Sequence, residues 1–329
     1  MKKRKGFTLV ELLVVIAIIA LLMGILMPAL AKVRQIAYRM VCGANMSGIG
    51  KAMLAYANEN GENYPVSGLP GKTTWATQGS IPNWFELQAG RAFGRQTGST
   101  ITSCLYLLVR TQEGTTKQFV CKGDIGTKIF TLKDGVTACT VGTELQNCWD
   151  FGSKNKPGQY SSYAYNMPFY HMATEGVPPR SFPVTSSSNS GCPILADRNP
   201  YNDKNADAYI DGRLPGESPP TWEIGDPAAG IPDHYSDQYK TGNSACHQRE
   251  GQNVLFNDSR VNFEKFPNVG IDNDNIWKYW SGLSNPTDQQ KQLSTSKPSD
   301  TPGTNTDGSG GPRNERDAYL VAEHNRALQ

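Results

Sequence analysis

From Phe7 to Met27 the chain reads FTLVELLVVIAIIALLMGILM, interrupted only by Thr8, Glu11 and Gly24. As a helix this run is about 32 Å long, enough to cross a hydrocarbon core of about 30 Å. Nothing else in the sequence constrains the fold as strongly, because a segment this apolar must be covered by lipid or by other helices. Glu11 stands out within it. A carboxylate in a membrane span costs roughly 2.5–3.5 kcal/mol on insertion scales and is a functional residue by default. Lys2, Lys3, Arg4 and Lys5 precede the span and outweigh Lys32, Arg34 and Arg39 after it. Positive charge stays on the cytoplasmic side, so the N-terminus is expected inside and the bulk of the chain outside. A cleaved secretory signal competes with this reading. Its apolar core would run about 7–15 residues to a small-residue site, whereas this run is longer and offers only Pro28-Ala29-Leu30-Ala31.

The helix is expected to continue beyond the membrane. Leu30, Val33, Ile36, Met40, Ala44, Ile49, Met53 and Tyr56 recur mostly in steps of three and four, the mark of an amphipathic stripe. Gly61 after Asn60 supplies a stop, and Tyr64-Pro65 shows that the chain has turned. The whole helix spans about 53 residues, roughly 80 Å. Pro28 should kink it or break its hydrogen-bond ladder. Gly43, Gly48 and Gly50 weaken its second half or let another helix approach closely.

The residues Gly6-Phe7-Thr8-Leu9-Val10-Glu11, after a basic leader and before an apolar helix, resemble the N-terminus of type IV pilins and type II secretion pseudopilins. The likeness covers roughly residues 1–60. It implies that a prepilin peptidase cuts between Gly6 and Phe7 and N-methylates Phe7. It further implies that an assembly platform extracts the subunit from the inner membrane and that neighbouring helices pack into a filament core. Glu11 would pair with the Phe7 ammonium of a neighbouring subunit. Two charges that are each costly in hydrocarbon offset one another when paired, so the pair sets register more than it adds stability. Pro28 matches a familiar pilin position where the helix loosens on assembly.

Past residue 65 the pattern changes. Hydrophobic content is only 38%, with 33 Gly and 21 Pro, which demands many turns. Short apolar runs such as KQFVCKGD, KIFTLKDG, GQYSSYAYNMPFYH and NVLFNDSRVNFEKF alternate between turn residues and read as a small antiparallel sheet. Asn253–Phe256 and Arg260–Phe263 around Asn257-Asp258-Ser259 form the clearest hairpin, and Ser103–Arg110 reads as a short helix. Four fragments resemble a pilin-like group of planctomycete and related bacteria whose C-terminal region has no assigned function. They are Phe119-Val120-Cys121-x-x-Asp124, Ser162-Tyr163-Ala164-Tyr165-Asn166, Cys192–Arg198, and His247 through Gly251-Gln252-Asn253-Val254-Leu255-Phe256-x-Asp258. The chain departs from that pattern at Glu250, where a glycine is usual, and at Ser259, which replaces the turn glycine.

Of seven cysteines, Cys104, Cys121, Cys139, Cys148, Cys192 and Cys246 follow residue 100, and Cys42 lies on the helix. No C-x-x-C occurs. In an oxidising compartment, short loops favour Cys104 with Cys121, Cys139 with Cys148 and Cys192 with Cys246, one choice among 15. His247 is the most suggestive of the four histidines, and a hydrogen-bonded structural role beside the hairpin is expected for it. No catalytic residues are assigned. Asp203, Asn205, Asp207 and Asp211 offer hard oxygen ligands suited to Ca²⁺, without EF-hand spacing. GLPGKTT lacks the first glycine of a phosphate-binding loop. Without the leader the chain carries 28 basic against 30 acidic residues, so a nucleic-acid partner is not expected.

The expected fold class is α+β and pilin-like: a long N-terminal helix, transmembrane in its first half, then a loop-rich antiparallel head. Residues 1–6 form the leader, 7–28 the membrane and assembly helix, and 29–61 its amphipathic continuation. Residues 62–283 form the exported head, and 284–329 a flexible tail with a short terminal helix at 315–328. The expected role is a minor or specialised structural subunit, not an enzyme, whose partners are prepilin peptidase, other pilin or pseudopilin subunits, the assembly platform and the inner membrane. The alternative is an exported binding protein or enzyme that uses the prepilin leader only as an anchor.

Overall fold

A computed structural model describes residues 9–68, 74–75, 98–124, 127–132, 144–151, 157–169, 183–198, 243–277, 315–316, 318 and 320–321. Helix α1 spans Leu9–Glu59, 51 residues, and its assignment runs unbroken through Pro28. It ends where expected. Gly61 adopts φ +61°, the Glu62 amide bonds back to the Ala57 carbonyl at 2.9 Å, and the Asn60 side chain caps the Tyr56 carbonyl at 2.7 Å.

The two halves of α1 have different surroundings. Along residues 9–41 no side chain is buried, and the exposure of the large apolar residues runs from 43% at Val41 to 78% at Leu9. From Cys42 onward one face closes on the head through Cys42, Met46, Ile49, Gly50, Met53 and Ala57, spaced in steps of three and four. The head supplies a five-stranded antiparallel sheet of order β6-β5-β4-β3-β7. Its strands are β3 (Tyr163–Asn166), β4 (Pro193–Asp197), β5 (Gln252–Phe256), β6 (Val261–Glu264) and β7 (Leu320–Val321). Thr74–Trp75 (β1) and Gly98–Ser99 (β2) make a separate parallel pair.

Every position of β3, β4 and β5 is buried because both sheet faces are covered. On the helix side, Tyr163, Tyr165, Ile194 and Leu255 join Ile49 and Met53. On the other side, Ala164, Ala196, Val254 and Phe256 pack with Trp277, Ile276 and Leu320. The β4–β5 register shifts between Pro193 and Leu195, and successive residues Ile194 and Leu195 accordingly share the helix-side cluster. The helical glycines serve this sheet and its loops rather than a second helix. A Cβ on Gly50 would stand 2.9 Å from Leu255 Cδ2, and one on Gly48 2.8 Å from the Gln118 amide nitrogen.

Helix α2 (Ile101–Arg110) forms as expected and begins two residues earlier than its apolar run suggested. Thr100 caps it, accepting the Ser103 amide at 3.0 Å. The Thr100 hydroxyl in turn donates to Asp150 Oδ2 at 2.5 Å, and the Phe151 amide reaches Asp150 Oδ1 at 2.7 Å. Burial pushes the Asp150 carboxyl up to about 6, against these hydrogen bonds.

Some expectations are corrected. KQFVCKGD gives a 3₁₀ turn at Thr116–Phe119 rather than a strand, and the described residues of the KIFTLKDG run, 128–132, do not form a strand. The terminal helix is replaced at Leu320–Val321 by strand β7. It completes the β3 edge in register Tyr165 to Val321, with Ala318 and Leu320 filling the outer core. An open strand edge is satisfied by pairing, so this part of the tail belongs to the head. The Ca²⁺ candidates Asp203, Asn205, Asp207 and Asp211 lie outside the described residues, as do Cys139, Gly6 and Phe7.

Candidate functional site

Two regions of α1 are candidates for function. The first is its exposed apolar half. Glu11 occupies the first turn, exposed, where a carboxylate also complements the positive end of the helix dipole. Pro28 sits deep inside the same half. Among the described residues this is the one helix long and apolar enough to cross a membrane. Residues 9–34 are all exposed and extend about 39 Å, so the head leaves this stretch free for lipid or for other helices.

The second region is where the helix enters the head. Cys42 is bonded to Cys121, across 79 residues of sequence and with Cα atoms 5.3 Å apart. This overturns the pairing of Cys104 with Cys121. Cys104 instead faces Ser67, whose amide donates to its sulfur at 3.3 Å. Cys192 and Cys246 do not pair either. Cys192 immediately precedes β4 beside Asn166, whose side-chain amide lies 3.9 Å from its sulfur, and burial pushes its thiol up to about 12. Cys246 packs instead against Cys42 and Cys121, and burial raises its thiol well above the ordinary value. Cys148 is a buried thiol next to Tyr106. Short loops misled because α1, set aside as membrane helix, carries Cys42 into the head.

Around the bridge lies a buried polar cluster. His247 Nε2 is 3.1 Å from Asp197 Oδ2, with both side chains essentially inaccessible. Asn253 donates to the same oxygen twice, from its backbone at 2.7 Å and its side chain at 3.1 Å. His247 is thus hydrogen-bonded beside the hairpin, as expected, with Asp197 and Asn253 as partners. Behind this group Arg198 pairs with Asp124 at 3.4 Å, both buried. It also donates to the Gly158 carbonyl at 2.8 Å and to the Ser161 carbonyl. Burial and the nearby Asp197 carboxylate raise the Tyr163 phenol. The four head fragments singled out in the sequence thus converge on one place, contributing Cys121 and Asp124, Ser162 and Tyr163, Asp197 and Arg198, and His247 and Asn253. The sequence reading gave Cys42 no partner and Asp197 no individual role. The signal for Cys42 was its spacing of seven residues, two helical turns, before Ile49 on the amphipathic stripe.

The departures from the fragment pattern also have local reasons. Glu250 forms an ion pair with Arg39 of α1, and that guanidinium stacks over Phe263 at 4.5 Å. Ser259 takes the left-handed turn position at φ +67° that a glycine would occupy without strain.

Residues 1–27 match the family model described as "Prokaryotic N-terminal methylation motif". No curated protein and no solved structure matches the chain. Together with the apolar helix, the motif fits a single-pass, membrane-anchored exported protein processed at its N-terminus.

Proposed function

From an N-terminus of the type IV pilin and pseudopilin kind, we propose that this chain is a structural subunit, not an enzyme, that assembles through α1 into a filament. Prepilin peptidase cuts after Gly6 and methylates the new Phe7 amine. The leader charges keep that end cytoplasmic, and the head is exported across the inner membrane. The carrying observation is the division of α1. The motif runs directly into about 39 Å of helix, through residue 34, that the head leaves uncovered, while Cys42 to Glu59 are committed to the head. Packing such helices together removes the apolar half from lipid, and Glu11 then meets the Phe7 ammonium of a neighbour at low dielectric.

Mass spectrometry of the mature chain tests the processing step, and N-methyl-Phe7 is the expected first residue. An intact Met1, or a cut near Ala31, would overturn it. Glu11→Leu should leave membrane insertion unchanged and reduce sedimentable filaments at least tenfold. Wild-type assembly by that variant would refute the pairing role.

A further inference from the structure

The ligand atoms of four buried side chains, Cys42, Cys121, Asp197 and His247, all lie within 4.8 Å of one another. His247 Nε2 is 3.8 Å from Cys121 Sγ and 3.1 Å from Asp197 Oδ2. A tetrahedral zinc ion with Zn–S of about 2.3 Å and Zn–N and Zn–O of about 2.0–2.1 Å places S···N near 3.5 Å and N···O near 3.4 Å. The imidazole-to-sulfur and imidazole-to-carboxylate distances are thus within a few tenths of an ångström of zinc ligand spacing. The two sulfurs must separate to about 3.8 Å, and the remaining ligand atoms, now within 4.8 Å of one another, must settle to about 3.5 Å.

Two further features suit a metal. The Gly123 amide donates to Cys121 Sγ at 3.3 Å, a bond that stabilises a thiolate ligand. Gly123 is required for it, since a Cβ there would lie 2.2 Å from the Cys246 carbonyl oxygen. The second feature is Asp197. Its Oδ2 is occupied by Asn253 and His247, but its Oδ1 is buried and meets no hydrogen-bond donor. A buried carboxylate oxygen without a partner is costly, and a cation would offset that cost. Two thiolates, an imidazole and one carboxylate form a donor set suited to zinc rather than to calcium or magnesium.

We infer that, once the Cys42–Cys121 bridge is reduced, Cys42, Cys121, His247 and Asp197 bind one zinc ion, so that a disulfide or a metal can fasten the helix to the head. A dithiol reductant supplies two electrons and two protons to the disulfide and leaves as its own cyclic disulfide. The divalent ion then displaces the two thiol protons and takes both thiolates. This site is independent of the filament reading, because no ligand lies on the exposed half of α1.

The test uses the full chain in detergent micelles, reduced with a dithiol, desalted without oxygen and titrated with Co²⁺ and then Zn²⁺. One Co²⁺ per chain should bind with thiolate-to-cobalt charge transfer and the intense visible bands of a tetrahedral site, and Zn²⁺ should displace it. Zn²⁺ should also slow alkylation of Cys42 and Cys121 at least tenfold, read peptide by peptide, and leave Cys104, Cys148 and Cys192 unchanged. The oxidised chain should show neither effect. His247→Ala should weaken binding at least tenfold, and His247→Cys should retain it. Should a variant fail to fold, the wild-type alkylation pattern decides. Equal rates with and without Zn²⁺, or protection confined to other cysteines, would overturn the site, as would unchanged Co²⁺ binding by a folded His247→Ala chain.

Discussion

Breaking the Cys42–Cys121 bridge should loosen the head as a whole. The bond closes a loop of 79 residues. On the chain-entropy account a loop of that size restricts the unfolded chain by about 15 cal/mol/K, or about 4.5 kcal/mol at 25 °C. It also joins Cys42, where burial of α1 begins, to the segment after the 3₁₀ turn Thr116–Phe119. That segment is tied to the residue preceding strand β3, because the Cys121 amide donates to Ser162 Oγ at 3.0 Å. The perturbation is the double variant Cys42→Ala/Cys121→Ala, or wild type reduced in the presence of a chelator so that no metal replaces the bond. Urea unfolding in detergent micelles, followed by circular dichroism and by emission of the fully buried Trp277, gives the readout. With a denaturant slope of about 2–3 kcal/mol/M, the midpoint should fall by about 1.5–2.3 M. A fall below about 0.5 M in both preparations would refute the reasoning, because the bridge would then not be what constrains the unfolded head.

Three further outcomes follow from particular contacts. Gly50→Ala should destabilise the head by about 1–3 kcal/mol, because its Cβ would press on Leu255. Leu255→Val in the same chain should recover part of that loss, giving a measurable coupling in a double-mutant cycle. Ser259→Gly should stabilise the head by about 0.5–1 kcal/mol, relieving the left-handed strain at φ +67°, and an unchanged midpoint would count against strain there. Asp150 gives a pH signature. Its carboxyl is raised from 3.8 to about 6 in the folded chain, so between those values the folded state binds more protons than the unfolded one. Stability from this group is present below pH 4 and lost as pH rises through about 6, by about 3 kcal/mol. Asp150→Asn should flatten that slope, and an identical slope in the variant would place the titration elsewhere.

Much of the local structure was legible because it is written in short-range chemistry. The period of three and four from Leu30 to Tyr56 described α1, and Gly61 described its end. Val254 to Phe263 around a polar turn described the hairpin. The expected disulfides failed for a different reason. Loop length ranks cysteines by separation along the chain, whereas α1 carries Cys42 across the sheet to Cys121. The terminal strand failed similarly. Leu320-Val321 has no strong preference of its own, and only the unpaired β3 edge makes it a strand.

The sequence by itself determined the membrane-length helix, the processing motif, the lone carboxylate Glu11 and the place where the helix stops, since each depends on neighbours within a few turns. The tertiary structure alone decided which half of α1 the head covers. It also decided that Cys42, Cys121, Asp197 and His247 meet although up to 205 positions separate them in the chain. Such meetings depend on how a helix crosses a sheet, because burial and register bring distant side chains together without any local signal.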